Sequence, residues 1–339
     1  MRALMCRKFG PPEGLVVERI DDPEPGAGEV LVQIKAAALN FPDVLAVRGE
    51  YQTRTPPPFI PGGEAAGVVA AVGEDVSRFQ PGDRVIATPM HGAFAEQCAV
   101  AQEQCMPLPR PMSFEEGAGF TITYATSYHA LRQSTGLQAG ETLLVLGAAG
   151  GVGSAAVEIG KAMGARVIAG VSSAEKAAFA QAAGADETVN YSDDELREAI
   201  RALTDGKGVD VVYDPVGGDL AEQAYRSLGW HGRYLVIGFA GGTIPRFAAN
   251  IALLKEASVI GVWWGTWAMR NPDLARRNMV ELSAMVADGK LKPRVTGANP
   301  ATQRVQYRKC PECQGFMQRR NFRKSSGVII DRCHEHGTW

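Results

Sequence analysis

A glycine-rich turn between an apolar run and a helical pattern constrains this chain more than any other feature. Residues 143–146 form a short, unbroken apolar run, as a buried parallel strand does, and residues 154–163 follow with helical periodicity. Glycine tolerates a positive φ and has no Cβ to hold a diphosphate away from the backbone, while a helix N-terminus attracts negative charge. We therefore expect a dinucleotide to contact this turn, at Gly147, Ala149, Gly150, Gly151, Val152 and Gly153.

The pattern after the turn decides between a binding site and a simple chain reversal. Strand-like runs alternate with helical segments, and this rhythm predicts a doubly wound parallel sheet, the Rossmann type of α/β fold. The strand-like runs are residues 166–171, 187–190, 209–214, 232–237 and 258–262, and the helical segments are 173–183, 194–204 and 219–227. Ligands of such sheets bind at the carboxyl ends of the strands. There we expect Gly217, Gly238 and Phe239 to join the cofactor site, although turn formation alone also accounts for glycines at these positions.

Composition sets wider bounds. The chain has 339 residues, 45% hydrophobic and 21% charged, which is enough for a large core in two or three domains. Its formal net charge of −2 gives the whole molecule no general affinity for polyanions. The first residues turn charged before an apolar signal core develops, and residues 143–157 are too short and glycine-rich to cross a bilayer. We expect a cytoplasmic protein that does not enter the membrane.

The N-terminal part has a different sequence pattern, and motifs along the chain resemble those of a known superfamily. Residues 1–122 contain Pro-Gly punctuation and short β-like runs, which predict an irregular β domain. Ordered motifs lie at residues 25–30 (PGAGEV), 40–43 (NFPD), 61–67 (PGGEAAG), 81–85 (PGDRV), 147–153 and 214–218 (DPVGG). With these motifs the chain resembles the medium-chain dehydrogenase/reductase superfamily, in its quinone oxidoreductase branch. The resemblance implies a GroES-like substrate domain at 1–122 with a helical return at 267–297, a Rossmann domain at 123–266, and a homodimer built through the edge strand of the Rossmann domain.

The resemblance also raises the question of a catalytic metal. Zinc-dependent members have a cysteine ligand three residues before an aspartate and a histidine ligand in a Gly-His-Glu triplet; Asn40 and Gly63 occupy these places. Neither supplies the thiolate, imidazole or carboxylate that zinc prefers. Cys98 and Cys105 are too far apart for a structural zinc knuckle and are better interpreted as small, partly buried residues. We expect metal-independent hydride transfer to a small electron-poor molecule, a quinone or an α,β-unsaturated carbonyl.

The resemblance points to three residues of the substrate pocket. Asn40 would be a polar contact, Tyr51 an aromatic lid or hydrogen-bond donor, and Thr126 a contact near the nicotinamide, with Tyr124 as a competitor for that role. Each has an ordinary alternative: Asn40 in a turn, Tyr51 on the surface, and Thr126 as the cap of a helix over residues 127–131. No residue is recognisable as a general acid.

The end of the second Rossmann strand indicates which nicotinamide cofactor binds. NAD-specific sites place an acid there, about twenty residues past the glycines, whereas residues 169–173 contain none. Glu175 is near, but we interpret Ser172 to Glu175 as a capping box. Ser172, Ser173 and Lys176 suit a 2′-phosphate, and the resemblance adds Tyr191 at the adenosine end. We expect NADPH rather than NADH, the alternative being a solvated Lys176.

The sequence after residue 297 departs from the family, whose members continue with a helix and a closing strand. Residues 298–307 are an expected linker, and residues 308–339 resemble a small zinc ribbon of the transcription-factor-IIB type. The expected ligands of its structural zinc are Cys310, Cys313, Cys333 and His336, two knuckles nineteen residues apart. The alternative is an unfolded basic tail.

The tail also carries seven basic residues between positions 304 and 324, against one acid, Glu312. Interleaved aromatic residues make a nucleic-acid surface conceivable, but a solvated basic face is more common. The alternative function is therefore a zinc-ribbon module that binds nucleic acid or protein and carries a redox-sensing or inactive dinucleotide domain.

Overall fold

The fold divides at residue 295. The structure, a computed structural model, describes residues 1–295 and three short strands in the C-terminal part. Backbone contacts separate two units, Met1–Val295 and Thr296–Trp339.

The N-terminal part of the first unit is built on an antiparallel sheet. Strands β1 (Arg2–Met5) and β2 (Val16–Arg19) pair with each other. The larger sheet contains β3 (Glu29–Ala37), β4 (Ala65–Val72), β5 (Arg84–Ala87), β6 (Gln97–Ala101) and β7 (Cys105–Pro107), in the order β6-β3-β4-β5-β7. The register between β3 and β4 shifts at two places, which is the expected irregularity. Helix α1 (Phe41–Arg48) lies in the connection between these two strands.

A six-stranded parallel sheet follows. Its strands are β8 (Thr142–Leu146), β9 (Arg166–Val171), β10 (Glu187–Asn190), β11 (Val209–Asp214), β12 (Leu228–Val236) and β13 (Ser258–Gly261). The order is β10-β9-β8-β11-β12-β13, so the sheet grows outward in both directions from β8 and β11. The carboxyl ends of β8 and β11 therefore flank the switch point, where doubly wound sheets bind their ligands. This confirms the predicted Rossmann architecture.

Helices cover both faces of the parallel sheet. Before them, α2 (Phe114–Ala118) packs against β3 and β4 of the antiparallel sheet. The helices of the Rossmann part are α3 (Thr121–His129), α4 (Gly151–Ala162), α5 (Ala174–Ala182), α6 (Leu196–Leu203), α7 (Gly218–Arg226), α8 (Ala249–Lys255), α9 (Trp264–Arg270) and α10 (Pro272–Ala287). Alternate residues of β8 enter opposite cores: Leu143 and Val145 one, Leu144 and Leu146 the other. A strand with both faces buried must be apolar throughout, which is why residues 143–146 show no alternation.

The segment after α10 is fastened to α4. The buried carboxylate of Glu158 in α4 accepts a hydrogen bond from the Tyr124 hydroxyl at 2.8 Å and another from the Lys292 N–H at 2.9 Å. Arg294 Nε reaches the other carboxylate oxygen at 3.4 Å. These contacts join α3, α4 and the returning chain, so α10 and the residues after it close over the Rossmann part.

The second unit contains a small antiparallel sheet. Its strands are β14 (Gln318–Asn321), β15 (Ile329–Cys333) and β16 (Gly337–Thr338), with β15 in the centre. Cys333, one of the expected zinc ligands, is the last residue of β15. Cys310, Cys313 and His336 lie outside the described residues, as does the expected linker.

Within the described parts of the chain, no helix is long and apolar enough to cross a membrane.

Candidate functional site

The glycine turn after β8 forms a cradle that accepts no side chain. Gly147 has a φ of 58°, and its carbonyl accepts a hydrogen bond from the Gly150 N–H at 2.8 Å. A Cβ on Gly153 would lie 2.2 Å from the Gly147 oxygen, closer than any real contact. Helix α4 starts at Gly151, and the first N–H groups of a helix have no partner within it. The turn therefore presents donors to an anion at the switch point, as a bound diphosphate requires.

A polar cluster with one cation, Lys176, lies at the ends of β9 and β10. Lys176 Nζ donates to Ser172 Oγ at 2.7 Å. Tyr191 lies beside them: burial raises the pKa of its hydroxyl, and the Ser172 side chain opposes the rise. A Cβ on Gly170, in β9, would touch the Tyr191 ring at 3.6 Å. The structure thus brings Ser172 and Lys176, which the sequence connected with a 2′-phosphate, together with Tyr191, which the resemblance placed at the adenosine end.

The capping-box interpretation of this region is wrong. Ser173 is the N-cap of α5, and its hydroxyl accepts a hydrogen bond from the Lys176 N–H at 3.3 Å. Glu175 stands two residues after the cap instead of three, and its side chain is exposed. Ser173 thus serves the helix start, while Ser172 and Lys176 form the polar pair.

A buried carboxylate holds the next loop, between β11 and α7. Asp214 Oδ1 accepts hydrogen bonds from the N–H groups of Val216 at 2.7 Å and Gly217 at 2.9 Å, and the Tyr234 hydroxyl donates to Oδ2 at 2.5 Å. Burial raises the pKa of Asp214, and these hydrogen bonds oppose the rise. A Cβ on Gly217 would lie 3.1 Å from the Phe239 ring, so the loops after β11 and β12 pack together.

Gly217 and Phe239, two of the expected cofactor residues, therefore lie next to each other. Gly238, a third, is hydrogen-bonded to the last residue of β11. The Gly238 N–H reaches the Asp214 carbonyl oxygen at 3.4 Å. The glycines of this site were predicted from the sequence, but Asp214 was not. An acid that ends an apolar strand and precedes a proline is a recognisable sign of a loop anchor.

A second polar site surrounds Asn40, just before α1. The Asn40 amide nitrogen Nδ2 donates to Glu64 Oε1 at 2.9 Å, and the Asn40 backbone N–H donates to Asp43 Oδ2 at 2.7 Å. The other oxygen of Glu64 accepts from the Ile122 N–H at 2.9 Å, in the first turn of α3. Glu64 therefore joins the β domain to the helix that leads into the Rossmann part.

Both carboxyl groups of this site have raised pKa values. Burial raises the pKa of Glu64 to about 8, and the negative charge of Asp43 adds to the rise, while the hydrogen bonds from Ile122 and Asn40 oppose it. Burial also raises the pKa of Asp43 to about 6, opposed by the N–H groups of Asn40, Gly63 and Gly62. Neither Glu64 nor Asp43 was predicted from the sequence as part of the site. An acid directly after Gly63 at the entry to an apolar strand was the available signal.

The donors around Asn40 do not suit a catalytic zinc. Gly63 has no side chain, and a Cβ there would already touch Ile122 at 3.3 Å and Asp43 at 3.7 Å. The Asn40 amide is neither thiolate nor imidazole, and it is bonded to Glu64. No cluster of three His, Cys, Asp or Glu residues suited to a metal occurs in the described part of the chain. We derive no step through a metal at this site.

Cys98 and Cys105 are buried thiols of the β domain, more buried than expected. Burial raises the pKa of each to about 12, which keeps both thiols protonated at neutral pH.

Thr126 lies in the middle of α3, which begins at Thr121, so the alternative that it caps a helix is wrong. It stands one turn after Ile122, on the same helix face, and is half-buried. Ser127 Oγ donates to the Val152 carbonyl at 2.9 Å, which fixes this part of α3 against the glycine turn. The hydroxyl of Tyr124 is bonded to Glu158 and faces α4, so Tyr124 does not compete with Thr126.

Tyr51 follows the end of α1 and is half-buried. Its proposed role as a lid stays a prediction.

Both parts of the first unit are similar to known dehydrogenases. Residues 26–135 match the family described as alcohol dehydrogenase GroES-like domain, and residues 151–281 match the family described as zinc-binding dehydrogenase. Quinone oxidoreductase-like protein 2 of Bos taurus is 38% identical over 295 residues, which are 87% of this chain and 84% of that protein.

Two solved structures show the same similarity. Quinone oxidoreductase of Escherichia coli, complexed with NADPH, has a TM-score of 0.81 at 31% identity, covering 87% of this chain and 90% of the other. Quinone oxidoreductase of Pseudomonas syringae pv. tomato DC3000 has a TM-score of 0.79 at 36% identity, with the same shares of 87% and 90%. The similarity thus extends over both the antiparallel and the parallel sheet.

Proposed function

This chain belongs to the quinone oxidoreductase-like branch of the medium-chain dehydrogenase/reductase superfamily, and we propose that it is an NADPH-dependent reductase of quinones or α,β-unsaturated carbonyls. The observation that carries the proposal is the glycine cradle at the switch point, where a Cβ on Gly153 would collide with the Gly147 oxygen. Electron-poor acceptors of this kind take up a hydride without a Lewis acid, which agrees with the absence of zinc-type donors at Asn40 and Gly63.

The residues present suit NADPH. The N-terminus of α4 would hold its diphosphate, and Lys176, Ser172 and Tyr191 would meet the 2′-phosphate. When bound, the cofactor supplies the hydride. Gly217, Gly238 and Phe239 would form the wall on the other side of the switch point.

The acceptor would lie between Asn40, which belongs to the β domain, and the cofactor site of the Rossmann part. We assign Asn40 to the acceptor oxygen, since its amide is a polar group held in place by Glu64. Thr126 would contact the nicotinamide end, because α3 connects the Asn40 site with the glycine turn. Tyr51 would cover the acceptor and exclude water. The final proton comes from solvent.

The test is a direct assay of the purified full chain. Binding of NADPH should enhance its fluorescence, and 1,4-naphthoquinone or a simple enone should then oxidise it, with loss of its absorbance. NADH at equal, subsaturating concentration should react more slowly. Neither fluorescence enhancement nor turnover with any acceptor would contradict the proposal, and equal use of NADH would contradict the cofactor assignment.

We also propose a homodimer. In the first unit, β13 is an outer strand of the parallel sheet, and the neighbouring α8 buries none of its residues. Apolar side chains are exposed here, including Leu253 and Leu254 in α8 and Val259 in β13. An outer strand beside apolar side chains is a surface that a second copy of the same strand can cover.

We propose a structural zinc in the second unit. The support is the spacing of Cys310, Cys313, Cys333 and His336, together with the three-stranded antiparallel sheet in which Cys333 ends a strand. The alternative function, a zinc-ribbon binding module with an inactive dinucleotide domain, is not favoured, because the similarity to quinone oxidoreductases covers the reductase part.

A further inference from the structure

A cleft in the Rossmann part is lined by positive charge. Its volume is about 330 Å³, within the range of about 300–1,000 Å³ that is common for small-molecule sites. We call it the basic cleft, and the cationic residues that line it are Arg197, Arg201, Lys207, Arg226 and Lys255. None of the described residues that line it is acidic. Such a set of side chains suits an anion with several negative charges.

The basic cleft lies far from the proposed cofactor site. It is found at the amino ends of β11 and β12, whereas the glycine turn and the loop after β11 lie at the carboxyl ends. Strand β11 has six residues, so about 17 Å of strand separates the two edges. A Cβ on Gly208 would lie 2.6 Å from the Ser227 oxygen and 2.7 Å from the Gly229 nitrogen. The turns before the two strands are therefore in close contact and give the cleft a fixed floor.

Helix dipoles account for only part of the cluster. Arg201, Arg226 and Lys255 lie in the last turns of α6, α7 and α8, where the dipole favours a cation. Arg197 lies in the first turn of α6, where the dipole disfavours one. Arg197 also precedes Arg201 by four residues, and like charges at this spacing destabilise a helix. Helix α6 by itself therefore does not favour an arginine at position 197.

Ion pairs neutralise the cluster incompletely. Arg226 Nη2 pairs with Glu222 Oε1 at 2.9 Å, and Arg201 Nη1 reaches Glu198 Oε2 at 3.9 Å. The second pair is exposed to solvent on both sides, so it contributes little. Within the described residues, no carboxylate lies within 4 Å of the other three cations, Arg197, Lys207 and Lys255.

Lys255 lies close to two of the other cations. Its Nζ donates to the carbonyl oxygen of Arg226 at 2.7 Å and to that of Leu228. Burial lowers the pKa of Lys255, and the charges of Arg197 and Arg226 lower it further. Cations from three helices are thus near enough to repel one another, and an anion between them relieves the repulsion.

We propose that the basic cleft binds a small anion with two or more phosphate groups, held by the guanidinium groups of Arg197 and Arg201 and by the cations of α7 and α8. Guanidinium groups bind phosphate oxygens through paired hydrogen bonds, and several linked phosphates can meet cations from three helices at once. The site is separate from the proposed reductase site and does not depend on its activity.

The same phosphate chain occurs in an inorganic triphosphate and in a nucleoside triphosphate. The exposed side chain of Trp230 also lines the cleft, and an aromatic ring beside the phosphates suits the base of a nucleotide. The two sources therefore differ in whether they use Trp230.

Calorimetric titration of the full chain with sodium triphosphate at pH 7 tests the cleft. In the double variant Arg197→Gln with Arg201→Gln, the Kd should rise at least about tenfold, because two charged donors are lost. The binding should also weaken as NaCl is added. The matched control, Arg270→Gln with Arg277→Gln, removes two charges from exposed positions outside the cleft and should keep the wild-type Kd. Both double variants should keep the wild-type Kd for NADPH, which binds at the opposite edge of the sheet.

Three results would overturn the proposal. The first is a wild-type chain that does not bind triphosphate saturably. The second is an unchanged Kd in Arg197→Gln with Arg201→Gln, since the anion then binds elsewhere, such as on the basic segment 304–324. The third is an equal loss in both double variants, which would come from the general charge of the chain. Citrate serves as an anion of several charges without phosphate, and binding as tight as that of triphosphate would refute the phosphate assignment.

ATP separates the two sources of the phosphate chain. Only the part of its binding that is lost in Arg197→Gln with Arg201→Gln belongs to the cleft. Tighter binding of ATP than of triphosphate, with the difference removed by Trp230→Leu, supports the site with a nucleotide as its occupant. Equal Kd values support the site with the inorganic chain as its occupant.

Discussion

At the scale of single residues, the cofactor cradle depends on the absence of a Cβ at position 153. Gly153→Ala would place a methyl group 2.2 Å from the Gly147 oxygen, so the turn has to open. We expect a loss of about 1–3 kcal/mol in the free energy of unfolding and a weaker affinity for NADPH. Differential scanning calorimetry and fluorescence titration measure the two effects.

Gly10→Ala is the control for this change. A Cβ at Gly10 has no heavy atom within 4 Å, so neither quantity should move. Unchanged NADPH affinity in Gly153→Ala would mean that the turn does not hold the diphosphate.

Lys176 is the charged residue at the expected 2′-phosphate. Lys176→Met keeps the length of the side chain and removes the charge. A hydrogen bond to a charged group contributes about 1.5–3 kcal/mol, so the Kd for NADPH should rise roughly 10- to 100-fold while that for NADH stays the same. Fluorescence titration with both cofactors measures this. Lys207→Met, at the opposite end of β11, is the matched control, and a parallel loss for NADPH and NADH would refute the assignment.

Whether a site residue could be predicted from the sequence depends on how far apart along the chain the contacting residues lie. A Cβ on Gly153 would collide with the Gly147 oxygen, only six residues earlier in the chain. The spacing of the glycines alone therefore predicts the cradle. Glu64 meets Asn40 from 24 residues away and Ile122 from 58. No local pattern encodes contacts between such distant segments, and they become visible only once the two sheets are assembled.

At the scale of elements, the loop between β11 and α7 depends on one carboxylate. Asp214→Ala leaves the buried N–H group of Gly217 and the partly buried N–H group of Val216 without their acceptor, and an unsatisfied buried donor costs about 1–3 kcal/mol. We expect a lower free energy of unfolding and weaker NADPH binding, since Gly217 is part of the expected cofactor wall. Tyr234→Phe removes only the donor to Asp214 and should destabilise the fold while NADPH binding is retained.

Chemical denaturation and fluorescence titration of both variants decide this point. If Tyr234→Phe and Asp214→Ala lose NADPH affinity equally, the loss reflects the lower stability of the whole fold and not the loss of the loop's own hydrogen bonds.

The bounds of elements were predictable where the pattern has a definite period. Strands β9, β10 and β11 have the bounds of the strand-like runs in the sequence. In β9 and β11 most residues are apolar, as the residues of buried parallel strands are. Helix α3 begins six residues before the predicted start at Ser127, and its first residue follows Phe120, which makes no side-chain cap. Without a capping side chain, the sequence gives no local signal for that helix start.

At the scale of the whole molecule, the domain boundaries 1–122, 123–266 and 267–297 stay predictions. The change in sequence pattern on which they depend corresponds to two different sheets, one antiparallel and one parallel. An antiparallel sheet tolerates irregular polar strands because one face meets water, whereas the parallel sheet needs apolar strands. The tail shares neither pattern, and its zinc site stays a prediction from the cysteine and histidine spacing.

The proposed dimer is tested on its apolar strand. Val259→Lys places a charge on β13, where a second copy would pack, so the dimer should dissociate to monomers. Light scattering coupled to size-exclusion chromatography measures the mass. Val280→Lys, the same substitution at an exposed valine of α10, should leave the mass unchanged. A wild-type protein that elutes as a monomer at micromolar concentration would refute the dimer.

Metal removal separates the two units functionally. The wild-type chain should contain one equivalent of zinc, and a strong chelator or Cys310→Ser should remove it, because a structural zinc needs its thiolate ligands. Reduction of 1,4-naphthoquinone by NADPH should persist, since Asn40 and Gly63 supply no zinc donor to the reductase site. Elemental analysis and the turnover assay are made on the same sample, with zinc added back as a control. Turnover that disappears with the zinc and returns on its addition would place a metal in the reaction and overturn the metal-independent mechanism.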